Sequence, residues 1–181
     1  ISYLKKSIGK TLKNTVLFVN ETFNTSNVKK YISNYELSYI NDLLKTGDLK
    51  KNIFVYEVSS KRKIVLISIK NNLETSDIEK LGSEFYGRIN YGKSSEYFLN
   101  SDSAVCKYEN FVGHLLHGLK LKSYEFNKYK TKKVTRLIKV SVYGKKNKIS
   151  VYNKLKFNAL EQGTFYKRDL VSEQGNILHP D

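Results

Sequence analysis

The run Ile64-Val65-Leu66-Ile67-Ser68-Ile69 restricts the fold of this chain more than any other segment. Side chains of a strand alternate between two faces, so a run that is apolar at both odd and even places belongs to a strand buried on both sides, near the centre of a sheet with helices above and below. Ile53 to Val58 is a second strand, and because only the basic turn Ser59 to Lys63 separates the two, they pair as neighbours. Thr15 to Val19 is another β-branched strand, followed by a polar connection from Asn20 to Asn27. Tyr97 to Leu99 is a short extended stretch, and Leu137 to Val142, with Lys139 and Ser141 at alternate places, has the period of a half-buried strand.

Helical periodicity fills the intervals. Leu37, Ile40, Leu43 and Leu44 recur at helical spacing and Gly47 follows as a stop signal. Ile78, Leu81, Phe85 and Ile89 make one apolar face behind Ser76-Asp77-Ile78-Glu79, which fits a capping box. Tyr108, Phe111, Val112, Leu115, Leu116 and Leu119 lay down a third stripe, in which Gly113 and Gly118 leave room for a neighbouring element. Val151, Leu155, Ala159, Tyr166 and Leu170 trace a long final helix. Strands alternating with helices imply an α/β fold, a mixed sheet flanked by helices on both faces. At 181 residues this is one domain, and the only proline, Pro180, marks no internal hinge. A content of 40% hydrophobic and 13% aromatic residues supplies a core and excludes a disordered or collagen-like chain.

Lys and Arg number 32 against 17 Asp and Glu, a net charge of +15, so polyanions are candidate partners. The single cysteine, Cys106, cannot pair within the chain and fits a reducing, cytoplasmic location. No apolar run is long enough to cross a membrane, and the start ISYLKKSIGK has no signal-peptide character, so no membrane partner is expected. Asn20-Glu21-Thr22 and Asn24-Thr25-Ser26 match a glycosylation pattern but read as loop polarity in such a protein.

Gly87-Arg88-Ile89-Asn90-Tyr91-Gly92-Lys93-Ser94 matches the phosphate-loop string. That loop must leave a strand and enter a helix, whereas here it leaves a helical segment and enters an extended one, so the reading is a basic turn, with a nucleotide site as the remote alternative. His114 and His117 stand three apart on a helix, a spacing that can bring two imidazoles to one metal, but no cysteine or carboxylate follows at ligand spacing. Cys106 would be a nucleophile only beside a histidine base. No catalytic and no metal-binding residue is therefore assigned. The strongest cluster is basic: Lys120, Lys122, Lys128, Lys130, Lys132, Lys133 and Arg136, interleaved with Tyr124, Phe126 and Tyr129. Ammonium groups neutralise phosphates and aromatic rings stack on bases, which makes this stretch the candidate nucleic-acid surface, with Lys61 and Arg62 a secondary patch. The competing reading is a solvated connection whose aromatics anchor it to the domain.

Two segments carry a resemblance. Gly113-His114-Leu115-Leu116-His117-Gly118-Leu119 runs into Lys122-Ser123-Tyr124-Glu125-Phe126-Asn127-Lys128-Tyr129-Lys130-Thr131, and Arg168-Asp169-Leu170-Val171-Ser172-Glu173 is followed by Asn176-Ile177-Leu178 and Pro180. The first resembles a helix and its Tyr-x-Phe-x-x-Tyr-Lys element in the leucyl (cytosol) aminopeptidase family of two-metal peptidases. The second is similar to the stretch at the entrance to that family's catalytic domain, with Gln174 where the family often has proline. The resemblance implies a macro-domain-like amino-terminal domain over residues 1–165, with 166–181 beginning the connection to a catalytic domain. It implies a parent that releases amino-terminal residues from peptides with two divalent ions, zinc or manganese, as a cytoplasmic hexamer. No Asn-Thr-Asp-Ala-Glu-Gly-Arg-like motif is present, so the expected role of this chain is structural, its partners being its catalytic domain, copies of itself and, as in some bacterial members of the resembled family, DNA bound without sequence preference.

Overall fold

The computed structural model describes residues 1–4, 14–47, 49–91, 95–131, 137–146 and 149–173. Six strands form one sheet: β1 (Ser2–Tyr3), β2 (Asn14–Asn20), β3 (Ile53–Ser59), β4 (Arg62–Ile69), β5 (Ser95–Asn100) and β6 (Ile138–Tyr143), in the order β1-β6-β5-β2-β4-β3. All neighbours are parallel except β3, which turns back antiparallel on β4 with a register shift between Glu57 and Ser59. The sheet is therefore mixed, and the apolar run 64–69 lies inside it, between β2 and β3.

Parallel neighbours need crossovers, and helices supply them: α1 (Asn34–Thr46), α2 (Thr75–Ile89) and α3 (Phe111–Lys122). Val16, Phe18, Val65, Ile67 and Leu99 pack with α2 and α3 in one buried layer. Leu17, Val19, Ile64 and Leu66 pack on the opposite face with Ile40 and Leu44 of α1. Both faces of the sheet are covered, as the alternation of elements implies. The same two-sided burial explains why β4 is apolar throughout.

Helix ends depart from the sequence reading. Capping boxes occur at α1 and α2, but neither is Ser76 with Glu79: at α1 Ser33 Oγ accepts from Glu36 N at 3.3 Å while Glu36 Oε2 accepts from Ser33 N at 2.9 Å, and at α2 the pair is Glu74 and Asp77. α2 begins earlier than Ser76 suggests, with Glu74 at the cap and its N–H donating to Asp77 Oδ2 at 3.1 Å. The turn is drawn forward because Leu73 packs against the core and its N–H donates to Tyr108 Oη at 2.5 Å. α4 (Val151–Ser172) lies outside α3, and Phe157 is its only buried residue. Its stripe of Val151, Leu155, Tyr166 and Leu170 is on the outward side, with Val151 72% and Leu155 65% exposed. Among the described residues no helix is long and apolar enough to cross a membrane.

Candidate functional site

The basic segment is built from the last turn of α3 and the loop after it. Lys120 and Lys122 project from that turn and are exposed, as is Lys130. Between them the loop folds onto the carboxyl end of α4. Tyr124 Oη donates to Asp169 Oδ1 at 2.7 Å, and its ring lies 5.3 Å from that of Phe165. Arg168 donates to the carbonyl of Leu121 at 2.6 Å and places its guanidinium 5.5 Å from the centre of the Tyr124 ring. Lys128 Nζ donates to Glu173 Oε1 at 2.6 Å, and Tyr129 Oη donates to the other oxygen of the same carboxylate. The Glu173 partner holds the Lys128 ammonium above its ordinary pKa, and the bonds from Lys128 and Tyr129 hold the Glu173 carboxyl below its own.

Tyr124, Lys128 and Tyr129 thus clamp α4 to α3. Of the basic cluster read from the sequence, the exposed cations not taken up by the clamp are Lys120, Lys122 and Lys130, while Lys132, Lys133 and Arg136 lie outside the described residues. Lys122 has company that the linear cluster did not contain: Lys80 and Arg168 line a shallow groove with it, about 440 Å³ in volume, together with Ser76 and Ser83. The signal was present in α2, where Ser76, Lys80 and Ser83 follow one another at helical spacing.

The secondary patch does not form. Arg62 is bound to the buried carboxylate of Glu36 through Nε and, at 3.2 Å, through Nη2, which leaves the two side chains 14% and 9% exposed. Burial alone would raise the Glu36 carboxyl, but the bonds from Arg62 and Ser33 outweigh it and hold the group below its ordinary value.

The two histidines go to separate partners. His114 Nδ1 lies 3.1 Å from Glu79 of α2, and His117 Nδ1 lies 3.0 Å from Glu161 of α4. Both rings pack on Phe157 with centres 5.0 Å away. Each imidazole ties α3 to a different helix, and among the described residues no group of three or more His, Cys, Asp or Glu side chains is gathered to hold an ion. The described residues do not fit a pair of divalent ions.

Gly87, Arg88 and Ile89 form the last turn of α2, and strand β5 starts at Ser95. The phosphate-loop string therefore joins a helix to a strand, the reverse of the order that chemistry needs, and Gly92, Lys93 and Ser94 lie outside the described residues. Cys106 is half-buried at the approach to α3, and burial pushes its thiol up.

No protein-family model and no curated protein matches this sequence. Solved structures do. Tomato leucine aminopeptidase superposes with a TM-score of 0.69 at 14% identity, over 98% of this chain and 39% of that one. The cytosol aminopeptidase of Coxiella burnetii gives 0.61 at 16% identity over 96% and 34%. The bottromycin maturation enzyme BotP gives 0.63 at 10% identity over 93% and 34%. The chain spans between 34% and 39% of the length of these proteins, and what the likeness establishes is a shared fold. It agrees with the resemblance carried by the 113–131 and 168–180 segments.

Proposed function

We propose that this chain is the non-catalytic amino-terminal domain of a leucyl aminopeptidase, and that its work is to position and shield catalytic domains. The observation that carries this reading is the outer side of α4, where Val151, Tyr152, Leu155 and Tyr166 are each at least 65% exposed. Large apolar side chains left exposed along one side of a helix that ends in a clamp mark a contact surface. The likeness to leucine aminopeptidases, over about a third of their length, supports assigning that surface to a following domain. Residues 166–181 then begin the connection, and the two divalent ions, zinc or manganese, belong to the following domain. The parent is a cytoplasmic enzyme that removes amino-terminal residues from peptides and assembles as a hexamer.

Two measurements test this. The purified chain is expected to hydrolyse no leucyl anilide and to hold no stoichiometric zinc or manganese; tight metal lost on replacing His114 and His117 would overturn the reading. The coding sequence beyond Asp181 is expected to continue into an Asn-Thr-Asp-Ala-Glu-Gly-Arg-like motif, and its absence would overturn it equally.

A second reading, nonspecific binding of nucleic acid, is favoured by the exposed Lys120, Lys122 and Lys130 and by the groove that adds Lys80 and Arg168. Lysine acts as a point charge, so contacts would go to phosphates rather than base edges. A duplex titration at low salt tests it, with binding expected to weaken steeply as salt rises.

A further inference from the structure

β3 is the outermost strand on its side of the sheet, and among the described residues no strand pairs with its outer edge. The ladder to β4 decides which of its groups face that edge. Asn52 O accepts from Ser68 N at 2.8 Å, and in the same register Phe54 lies opposite Leu66 and Tyr56 opposite Ile64. Hydrogen-bonded pairs alternate along an antiparallel ladder, so Asn52, Phe54 and Tyr56 bond to β4, while Ile53, Val55 and Glu57 turn their N–H and C=O groups outward. A row of such groups is a template for another strand.

The same alternation sets the side chains. Lys51, Ile53, Val55 and Glu57 occupy successive places on one face: a cation, two apolar residues and an anion. Ile53 and Val55 pack in the layer that α2 and α3 cover, and Lys51 and Glu57 at the two ends are exposed. This order is self-complementary when a copy of the strand runs antiparallel. If Ile53 lies opposite Val55 of the second copy, Lys51 falls opposite Glu57 and Glu57 opposite Lys51, and Phe54 meets its equivalent on the two-fold axis. All the residues so paired along the edge are ones whose backbone groups face outward. A shift by two residues in either direction removes both charge pairs, placing Glu57 opposite Ile53 or Lys51 opposite Val55. Glu57 bonds Lys63 Nζ through Oε1 at 2.5 Å, but its side chain is 67% exposed and has a second oxygen to offer.

We propose that the outer edge of β3 docks a second copy of this chain, antiparallel and about a two-fold axis at Phe54, with Lys51 paired to Glu57 at both ends. The contact is isologous, the same patch on both copies, and it joins the two six-stranded sheets into one. Main-chain bonds supply the attraction and the charges fix the register. One strand edge presents far fewer residues than the roughly 20–30 a side of a standard interface, so the dimer is weak and reversible, with a Kd of about 100 μM. The surface is separate from the outer side of α4 and does not rest on the aminopeptidase reading.

Sedimentation equilibrium of the full chain, from about 10 μM to about 1 mM, brackets that Kd. At about 0.15 M salt the repulsion between two chains of charge +15 is screened beyond about 8 Å. A monomer–dimer equilibrium is expected. Glu57→Lys and Lys51→Glu each set like charges across the edge at both ends and are expected to weaken the dimer about tenfold. The double variant Lys51→Glu/Glu57→Lys reverses both signs and is expected to recover the parent Kd within about threefold. Both positions are exposed, so these variants are expected to keep the parent's thermal midpoint. Val55→Pro removes an N–H that faces outward and bonds nothing in β4, so it is expected to abolish the dimer and keep the fold; should it fail to fold, the charge variants decide alone. A chain that stays monomeric at about 1 mM would overturn the proposal. So would a Kd unchanged in both single variants, a double variant that fails to recover, or a folded Val55→Pro chain that still dimerises.

Discussion

Gly118 and Glu79 meet backbone to backbone: a Cβ on Gly118 would stand 1.9 Å from the carbonyl oxygen of Glu79. The contact is reciprocal, because a Cβ on Gly82 of α2 would stand 1.9 Å from the carbonyl oxygen of Leu115 in α3. Two glycines thus let α2 and α3 touch along their main chains, and the obstacle to any larger residue is a carbonyl that cannot rotate away. Gly118→Ala is expected to lower stability by about 1–3 kcal/mol or more through overpacking. Gly163→Ala, in open space within α4, is expected to raise it by roughly 0.5–1 kcal/mol. Urea midpoints measure both, and equal midpoints for Gly118→Ala and the parent chain would contradict the close contact.

The Arg62–Glu36 pair predicts a pH dependence. The carboxyl titrates lower in the folded chain than in the unfolded one, so its contribution is complete at neutral pH and is lost as the pH falls through the folded value, below the ordinary 4.5. Arg62→Ala leaves a buried carboxylate unpaired and is expected to destabilise by about 3–5 kcal/mol at neutral pH. The difference between the variant and the parent should narrow as the pH falls toward and through the folded value of Glu36 and more of its carboxyl becomes neutral. Urea unfolding at pH about 7 and about 3 checks this, and a difference that stays constant would place the stabilising role of Arg62 elsewhere.

Phe157 holds α4 by filling the space above Gly113, whose Cβ would come within 2.8 Å of the Phe157 ring. Phe157→Ala is expected to remove about 3 kcal/mol of packing. The loss should be local: amides of α4 should exchange much faster with solvent while those of β2 and β4 keep their protection. Uniform loss of protection across the sheet would show that α4 is integral to the core.

The clamp separates two roles among the lysines. If duplex nucleic acid binds, replacing Lys120, Lys122 and Lys130 with glutamine should reduce the salt slope by about 0.9 for each lysine that touches a phosphate. Lys128→Gln should change it less and should loosen the end of α4 instead, because Glu173 already holds that ammonium. Binding that is unchanged in the triple variant would remove this surface.

How much of this was legible in advance depends on the range of the interaction. Strands and helices announce themselves through periods of two and 3.6 residues, which are local properties, and the two-sided apolar run at 64–69 was enough to require a covered sheet. Local patterns contain no information about partners far along the chain. Glu36 and Arg62 are 26 residues apart and Lys128 and Glu173 are 45 apart, so a cation assigned to a patch proved to be buried in one case and a clamp in the other. The stripe on α4 identified a helix but not the side it turns inward, because that is decided by the packing of Phe157 on His114 and His117 of another helix. The sequence by itself determined the segments of the helices and of every strand but β1, whose two residues are too short to show a period and are strand only through pairing with β6, and that both faces of the sheet would be covered. Only the tertiary structure decided the strand order, the edge that β3 leaves unpaired and the pairing of each charge, since these depend on which surfaces exclude water together.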